Sequence, residues 1–294
     1  MLSFTGTYTA LVTPFKEGQV DDAALERLIR LQIKAGVDGV VPVGTTGESP
    51  TLDYDEHIRV IELSVKYAAG RITVLAGTGG NSTKEAIFLT RRAEDVGADG
   101  SLQVAPYYNK PSQEGLYQHF RAIARATRLP IVLYSIPGRC GVEIAVDTVS
   151  RLARDCKNIV GIKEAGGNAD RVSQLRAALG PRFTILSGDD SLTLPFMAVG
   201  AQGVISVASN VAPREVAQMV RAFASGKAAL ARKYHERLYP LFKDLFIETN
   251  PVPVKAALAM MGLIEEEYRL PLAPLQPGNR QALTRTLKAV NLLP

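Results

Sequence analysis

The sequence of 294 residues is poor in the side chains that build metal centres and disulfide frameworks. It contains two cysteines and three histidines, and the histidines lie far apart along the chain. Two isolated cysteines give neither a disulfide framework nor a paired spacing for metal ligands, and such sparse use is typical of a reducing compartment. We therefore expect a protein with no resident metal ion.

Long apolar runs and dense basic runs are missing as well. No segment of the sequence approaches the ~20 apolar residues of a membrane-spanning helix. The formal net charge is +5, yet the densest basic patch is the pair Arg91 and Arg92, which disfavours nucleic-acid binding. Hydrophobic residues make up 46% of the chain, enough for a substantial core. We expect a cytoplasmic protein that binds neither membranes nor nucleic acids.

One pattern occurs three times: a glycine follows a helical stretch, and a short turn then leads into an apolar strand, at residues 35–43, 96–104 and 199–207. Runs with the composition of strands recur eight times, at residues 9–12, 40–43, 72–75, 101–104, 131–134, 159–162, 184–186 and 204–207. Amphipathic stretches lie between most of them, for example 55–69 and 83–96. The second stretch begins with Ser82 and Glu85 at the spacing of a capping box.

Eight short strands that alternate with helices predict the α/β class and a parallel sheet closed into a (β/α)8 TIM barrel. A doubly wound open sheet is the alternative, but the glycine cluster at 77–82 fails the dinucleotide pattern GxGxxG at its last position. We place the barrel in residues 1–224 and a C-terminal helical extension, packed on the barrel, in residues 225–294. The extension is predicted to contain helices at 227–246, 254–261 and 281–292.

Lys163 ends the apolar run 158–162, and no other lysine is interpreted as lying in such apolar surroundings. Burial disfavours the ammonium form and so lowers the pKa of a lysine. A neutral amine attacks carbonyl compounds and forms Schiff bases. A lysine that merely reaches solvent from a strand end would give the same sequence, so this run alone leaves both interpretations open.

Other polar side chains follow the predicted strands, and in such a barrel the C-terminal strand ends form the face that carries the active site. Along the chain these side chains are Thr45, Thr46, Ser49, Tyr107, Tyr108, Tyr134, Arg139, Asp189 and Asp190. Each one also has a structural explanation, as part of a turn or a rim, and Asp189 or Asp190 is interpreted as the N-cap of the next helix. Together with Lys163, the phenols and hydroxyls have a chemical rationale that the separate explanations lack.

Four segments carry a resemblance to a known family: GTTGES at 44–49, YYNKPSQEGLYQHF at 107–120, IVGIKEAGGN at 159–168 and TNPVPVKA at 249–256. Through them the chain resembles the dihydrodipicolinate synthase family, of the pyruvate-dependent class I aldolases and lyases, over essentially its whole length. The resemblance implies a lyase that condenses pyruvate with L-aspartate 4-semialdehyde to give 4-hydroxy-tetrahydrodipicolinate, in lysine and diaminopimelate biosynthesis. It also implies a homotetramer built as a dimer of dimers, and no cofactor.

The resemblance assigns the catalytic roles. It implies that Lys163 forms the Schiff base with pyruvate and that Tyr134 relays protons to and from the imine. Thr45 would be hydrogen-bonded to Tyr134, and Tyr108 would complete the relay from a neighbouring subunit. A phenol in such a relay typically contributes roughly 10²–10⁴-fold to the rate.

The resemblance also assigns the groups that bind the substrates. Thr45 and Thr46 would hold the pyruvate carboxylate, helped by the backbone at Ile205, and Arg139 would bind the carboxylate of the aldehyde. Sialic-acid lyases and sugar-acid aldolases generally lack an arginine at that position. An aldolase or dehydratase acting on a sugar acid through the same Schiff base is therefore the enzymatic alternative, and a barrel that senses small acids without catalysis is the alternative from another class.

Feedback inhibition by L-lysine is a further expectation from the resemblance. Inhibited relatives hold lysine at positions that match Ser49, His57, Asn81, Glu85 and Tyr107. Structural explanations compete here, since Glu85 can complete the capping box of Ser82 and His57 can lie on its helix surface. Five residues depart from what is usual in the family, namely Pro50, Tyr54, Ser135, Cys140 and Gly166, but none of them removes a group assigned to the chemistry.

Overall fold

Eight parallel strands close into a barrel at the centre of the molecule, in a computed structural model that describes residues 4–294. The strands are Gly6–Ala10 (β1), Gly39–Val41 (β4), Thr73–Gly77 (β5), Gly100–Val104 (β6), Ile131–Ser135 (β7), Ile159–Glu164 (β8), Thr184–Ser187 (β9) and Gly203–Ser206 (β10). The order around the barrel is β1-β10-β9-β8-β7-β6-β5-β4, so β4 closes on β1. The predicted (β/α)8 barrel is confirmed, and every predicted strand overlaps an observed one.

A hairpin interrupts the alternation once, as the sequence indicates. Phe15–Lys16 (β2) pairs antiparallel with Gln19–Val20 (β3). The helices that follow the barrel strands are Asp22–Ala35 (α1), Tyr54–Ala68 (α2), Thr83–Asp95 (α3), Gln113–Arg125 (α4), Pro137–Cys140 (α5), Val146–Asp155 (α6), Ala169–Leu179 (α7), Thr193–Ala198 (α8) and Pro213–Ala224 (α9). Within the described residues, no helix is long and apolar enough to cross a membrane.

The sequence pattern that occurs three times helps to align neighbouring strands of the barrel. In each copy a polar residue just before a strand accepts a hydrogen bond from a backbone N–H of the adjacent strand. Asp38 accepts from Thr7 at 2.8 Å, and Asp99 accepts from Val74 at 2.8 Å. In the third copy, Gln202 accepts the N–H of Ile185 at 3.2 Å. A glycine is required next at Gly203, because a Cβ there would lie 1.9 Å from the carbonyl oxygen of Gly6.

The last three helices lie outside the barrel and pack on it. They are Ala228–Asp244 (α10), Val252–Met260 (α11) and Pro277–Ala289 (α12). Helix α10 packs on α9 and α12, and α11 packs on α12 and on the 3-10 turn Ala208–Asn210. All three overlap the predicted helices, with bounds that differ by up to four residues (Pro277 against 281). The division into residues 1–224 and 225–294, after α9, remains our proposal.

The capping box predicted at Ser82 is wrong. Ser82 is the N-cap of α3, but its side chain makes no capping hydrogen bond. The capping box forms instead one helix earlier, where Asp53 and Glu56 exchange hydrogen bonds at the start of α2. Glu85 therefore does not take part in the capping box with Ser82 that its spacing in the sequence suggested.

Candidate active site

Lys163 and Tyr134 are neighbours in the barrel wall. Their Cα positions pair in register between β7 and β8, and the Lys163 Nζ lies 4.1 Å from the centre of the Tyr134 ring. Burial lowers the pKa of Lys163 to about 7, opposed by the charge of Asp190 and assisted by that of Arg139. A large share of the Lys163 amine is therefore neutral, and so nucleophilic, at neutral pH.

Tyr134 is held as a proton donor. Burial raises the pKa of its phenol well above the ordinary value, while Arg139 and a hydrogen bond from Thr45 act in the opposite direction. The phenol therefore remains protonated at neutral pH and faces the amine of Lys163. A protonated phenol beside a neutral amine is suited to pass a proton to an oxygen that leaves during imine formation.

Two adjoining cavities open at the C-terminal ends of the strands. The inner cavity, of about 50 Å³, is lined by Lys163, Thr46 and Asn250. The outer cavity, of about 180 Å³, is lined by Ser49 and Tyr107. Both are bounded by Gly44, Thr45, Leu102, Tyr134, Ile136 and Arg139. The shared wall joins the residues assigned to catalysis to part of the set assigned to lysine binding.

Asn250 ties together two groups that the resemblance assigns to substrate binding. Its side-chain amide donates to Thr46 Oγ1 at 3.0 Å, and its main-chain carbonyl accepts from Arg139 Nη2 at 3.0 Å. Its own side-chain oxygen is buried without a partner. Asn250 could not be assigned a role from the sequence, although its segment is among those that carry the resemblance, because its contacts join residues more than a hundred positions apart.

The two aspartates after β9 have different roles. Asp189 accepts hydrogen bonds from Ser191 and Leu192 and so stabilises the turn before α8. The N-cap of α8 is Leu192, so the predicted helix cap by an aspartate is wrong. The buried carboxylate of Asp190 accepts from the hydroxyl of Ser206 and from the N–H groups of residues 207 and 208. Burial raises the pKa of Asp190 to about 6. Asp190 therefore binds β9 to the loop after β10 and influences Lys163 through its charge.

Two predicted site residues lie away from Lys163 within one chain. Tyr108 lines neither cavity, has 91% of its surface exposed and has a φ of 71°. This backbone conformation is left-handed, and the phenol is presented to the outside of the chain. Ile205 lies inside β10, paired with Tyr8, and Val207 rather than Ile205 lines the inner cavity. The roles of both residues remain predictions.

Glu85 lies among the residues expected to bind L-lysine. Its charge raises the pKa of Tyr54, and together with burial, which is the larger cause, it raises the pKa of Tyr107. Tyr107 and Ser49 line the outer cavity. Glu85 itself does not line the outer cavity, but its carboxylate lies near enough to Tyr107, which does, to act on that phenol.

His57 and Asn81 are the remaining members of that set. The expectation that His57 lies on its helix surface is wrong, since it is buried and its Nε2 lies 2.8 Å from the carbonyl oxygen of Gly77. Burial lowers the pKa of His57 to about 4, so the ring is neutral and its Nε2–H donates to that carbonyl. The main-chain carbonyl of Asn81 accepts from the side chain of Asn109 at 2.9 Å.

Three departures from the family's usual residues have a local structural account. A Cβ on Gly166 would lie 2.7 Å from Glu164 Oε1, the oxygen that accepts the Gly166 N–H. Ser135 is buried and its hydroxyl accepts the N–H of Ile144. Cys140 lines the outer cavity, where burial raises the pKa of its thiol to about 11. Glycine at 166 thus leaves room for the arrangement of Glu164.

Comparisons with known proteins show which family the chain resembles over nearly its full length. A model of the dihydrodipicolinate synthetase family matches residues 3–290. The 4-hydroxy-tetrahydrodipicolinate synthase of Aquifex aeolicus (strain VF5) is 56% identical to the chain over 289 residues, which cover 98% of both proteins.

Solved structures are similar over nearly the full length. The 4-hydroxy-tetrahydrodipicolinate synthase from the thermoacidophilic methanotroph Methylacidiphilum fumariolicum SolV matches with a TM-score of 0.97 and 62% identity, covering 98% of this chain and 96% of that one. A crystal structure of DHDPS from Cyanidioschyzon merolae with lysine bound matches with a TM-score of 0.96 and 43% identity, covering 99% of each chain.

Proposed function

The chain belongs to the dihydrodipicolinate synthetase family, and we propose that it condenses pyruvate with L-aspartate 4-semialdehyde to give 4-hydroxy-tetrahydrodipicolinate. This reaction serves the biosynthesis of lysine and diaminopimelate. The observation that carries the proposal is the buried Lys163 amine, with its lowered pKa, beside the protonated Tyr134 phenol. A cytoplasmic location, expected for an enzyme of small metabolites, is part of the same proposal.

The proposed mechanism begins with the neutral Lys163 amine. It attacks the keto carbon of pyruvate, Tyr134 protonates the carbinolamine oxygen, and water leaves to form the imine. The protonated imine withdraws electrons, so a methyl proton departs and an enamine forms. The enamine carbon then attacks the aldehyde of the second substrate, whose oxygen takes up a proton. Attack of the substrate's amine on the imine carbon releases Lys163 and closes the ring.

Substrate positions in this proposal combine the lining of the inner cavity with the roles that the resemblance implies. Thr45 and Thr46 hold the pyruvate carboxylate, with the backbone at Ile205 as a third contact. Arg139 lines both cavities and is free to take the carboxylate of the aldehyde through the part of its guanidinium that Asn250 does not occupy. Assays of the wild-type enzyme with pyruvate should show turnover with aspartate semialdehyde and none with a panel of sugar-acid aldehydes. Preference for a sugar acid would favour the alternative aldolase.

Replacing Arg139 by alanine should raise the KM for the aldehyde about 10- to 100-fold, because a charge-assisted hydrogen bond to its carboxylate is lost. The KM for pyruvate should change much less. Arg139→Lys should rescue poorly, since lysine lacks the bidentate fork. Arg232→Ala, exposed on α10, is the matched control. Steady-state kinetics that show equal effects on both substrates would contradict the assignment.

We also propose a homotetramer made of two dimers, in which Tyr108 enters the site of a partner. Its 91% exposure in the single chain supports a role outside its own cavity. Light scattering should show the tetramer, and Tyr108→Phe should lower the rate by roughly 10²-fold. Refolding Tyr108→Phe together with Lys163→Ala should restore activity, because hybrid dimers contain one complete site. A fully active monomer, or no restoration, would sink this arrangement.

Feedback inhibition by L-lysine is proposed at the outer cavity, with Glu85 as the carboxylate for the ligand's α-amino group. Lysine bound to the Cyanidioschyzon merolae structure supports the choice of ligand. Millimolar L-lysine should lower the rate at subsaturating pyruvate, and Glu85→Gln should weaken the inhibition about tenfold or more. Glu62→Gln, exposed on α2, is the control and should respond like the wild type. Unchanged rates together with no heat of binding in calorimetry would rule the site out.

A further inference from the structure

Lys255 and Glu48 form an ion pair whose side chains have no exposed surface. Lys255 lies on α11 in the C-terminal extension, while Glu48 belongs to the loop 44–49 that follows β4. The expectation that no lysine other than Lys163 lies in such apolar surroundings is therefore wrong. A charged pair is costly to bury, so its presence needs an explanation in terms of what it holds in place.

The Lys255 Nζ and both carboxylate oxygens of Glu48 have close contacts within the chain. The Lys255 Nζ lies 4.2 Å from the centre of the Phe15 ring and 5.4 Å from that of Tyr268. One carboxylate oxygen of Glu48 accepts from Lys255, and the other accepts the backbone N–H of Arg269 at 3.3 Å. Burial lowers the pKa of Lys255, and the charge of Glu48 opposes that shift. The pair is thus a fixed link between the extension and the loop.

Glu48 also holds an unfavourable backbone conformation. Its φ is 54°, in the left-handed region that residues with a side chain rarely adopt. Its N–H donates to the carbonyl oxygen of Thr45 at 3.2 Å, so the backbone turns back at this point. Thr45 and Thr46, the first two residues of this turn, line the inner cavity. Such strain persists only where the surrounding contacts determine the conformation.

The pair lies close in sequence to another link between the same two parts of the chain. Asn250, just before α11, donates to Thr46, and Arg269 donates to Glu56 and to the carbonyl oxygen of Thr51 beyond the loop. The extension therefore contacts the loop 44–49 and the residues after it at several points. One of these contacts, from Asn250, lies in the lining of the inner cavity.

We propose that Lys255 and Glu48 are positioning residues of the reaction, which hold the loop 44–49 so that Thr45 stays beside Tyr134 and Thr46 faces the pyruvate carboxylate. This inference rests on the proposed function. The pair acts through the two threonines and touches no substrate. Its loss is expected to act on pyruvate binding and imine formation rather than on recognition of the aldehyde.

The test uses the full-length enzyme with Lys255→Met and with the double variant Glu48→Gln/Lys255→Met, which leaves no unpaired charge if the single variant fails to fold. Both should raise the KM for pyruvate about tenfold or more and slow the trapping of the Lys163 imine, because small displacements of positioning groups are costly. The KM for the aldehyde should change far less. Hydrogen exchange of the backbone in residues 44–51 should become faster.

Leu283→Ala, which removes a buried side chain of α12, is the control for lost stability alone. It should lower the melting temperature and leave the KM for pyruvate and the exchange of residues 44–51 unchanged. If the double variant behaves like Leu283→Ala, the pair is merely structural and the proposal falls. If the wild type traps no pyruvate, the proposed function fails instead, and exchange in residues 44–51 still decides whether the pair holds the loop.

Discussion

Replacing Lys163 by alanine is expected to abolish both the condensation and the reductive trapping of pyruvate by borohydride. The amine is the atom that bonds to the substrate in the proposed mechanism, and no other group at the inner cavity can replace it. Loss of such a nucleophile costs at least roughly 10³-fold in kcat. Mass spectrometry of the trapped wild-type protein should find one reduced pyruvyl group, and peptide mapping should place it on Lys163.

Lys255 serves as an internal control for this experiment, because it is the other buried lysine but is paired with Glu48. An adduct on Lys255 or on any surface lysine, or an active Lys163→Ala enzyme, would overturn the mechanism. Because the pKa of Lys163 is about 7, the fraction of the amine that is neutral falls about tenfold for each pH unit below that value. The rate of trapping with cyanoborohydride at limiting pyruvate should therefore also fall about tenfold per pH unit.

Replacing Tyr134 by phenylalanine is expected to lower kcat by about 10²–10⁴-fold, the usual contribution of a positioned proton donor. The ring is retained, so the packing of the barrel wall and the contact with Lys163 should change little. Only the hydroxyl that protonates the carbinolamine oxygen is removed. Presteady-state measurements should therefore show slow imine formation, with the melting temperature close to that of the wild type.

Tyr8→Phe is a matched control, since Tyr8 is also buried in a barrel strand, with its pKa raised to about 12 by burial. It packs against Phe4, with the ring centres 6.1 Å apart, and lines neither cavity. Its activity should stay near that of the wild type. An equal loss in both variants would mean that the phenol of Tyr134 supports the fold rather than the chemistry.

Features set by neighbours in the chain could be predicted from the sequence. The eight strands and the glycines after helices depend on local periodicity and backbone preference, and the structure confirms the barrel. The placement of Lys163 and Tyr134 at the ends of neighbouring strands follows from the strand order, which the spacing of a single sequence displays. Their pairing in register is an observation of the structure.

Features set by distant residues could not be predicted in this way. Asp190 is a residue type that often caps helices, but its carboxylate accepts hydrogen bonds from the loop after the next strand. Glu85 lies at the spacing of a capping box, yet the side chain of Ser82 makes no capping hydrogen bond. Lys255 lies in apolar sequence as Lys163 does, and only the packing of α11 against the loop 44–49 distinguishes a paired charge from a nucleophile.

The hydrogen bonds from Asn250 to the β4 loop and from Arg139 to Asn250 give the enzyme an order of assembly during translation. Synthesis proceeds from the N-terminus, so every barrel strand leaves the ribosome before Asn250 does. A nascent chain that has completed its barrel still lacks the clamp between Thr46 and Arg139. We therefore expect the active site to be complete only after Asn250 has been synthesised, and fragments that end before it should be inactive.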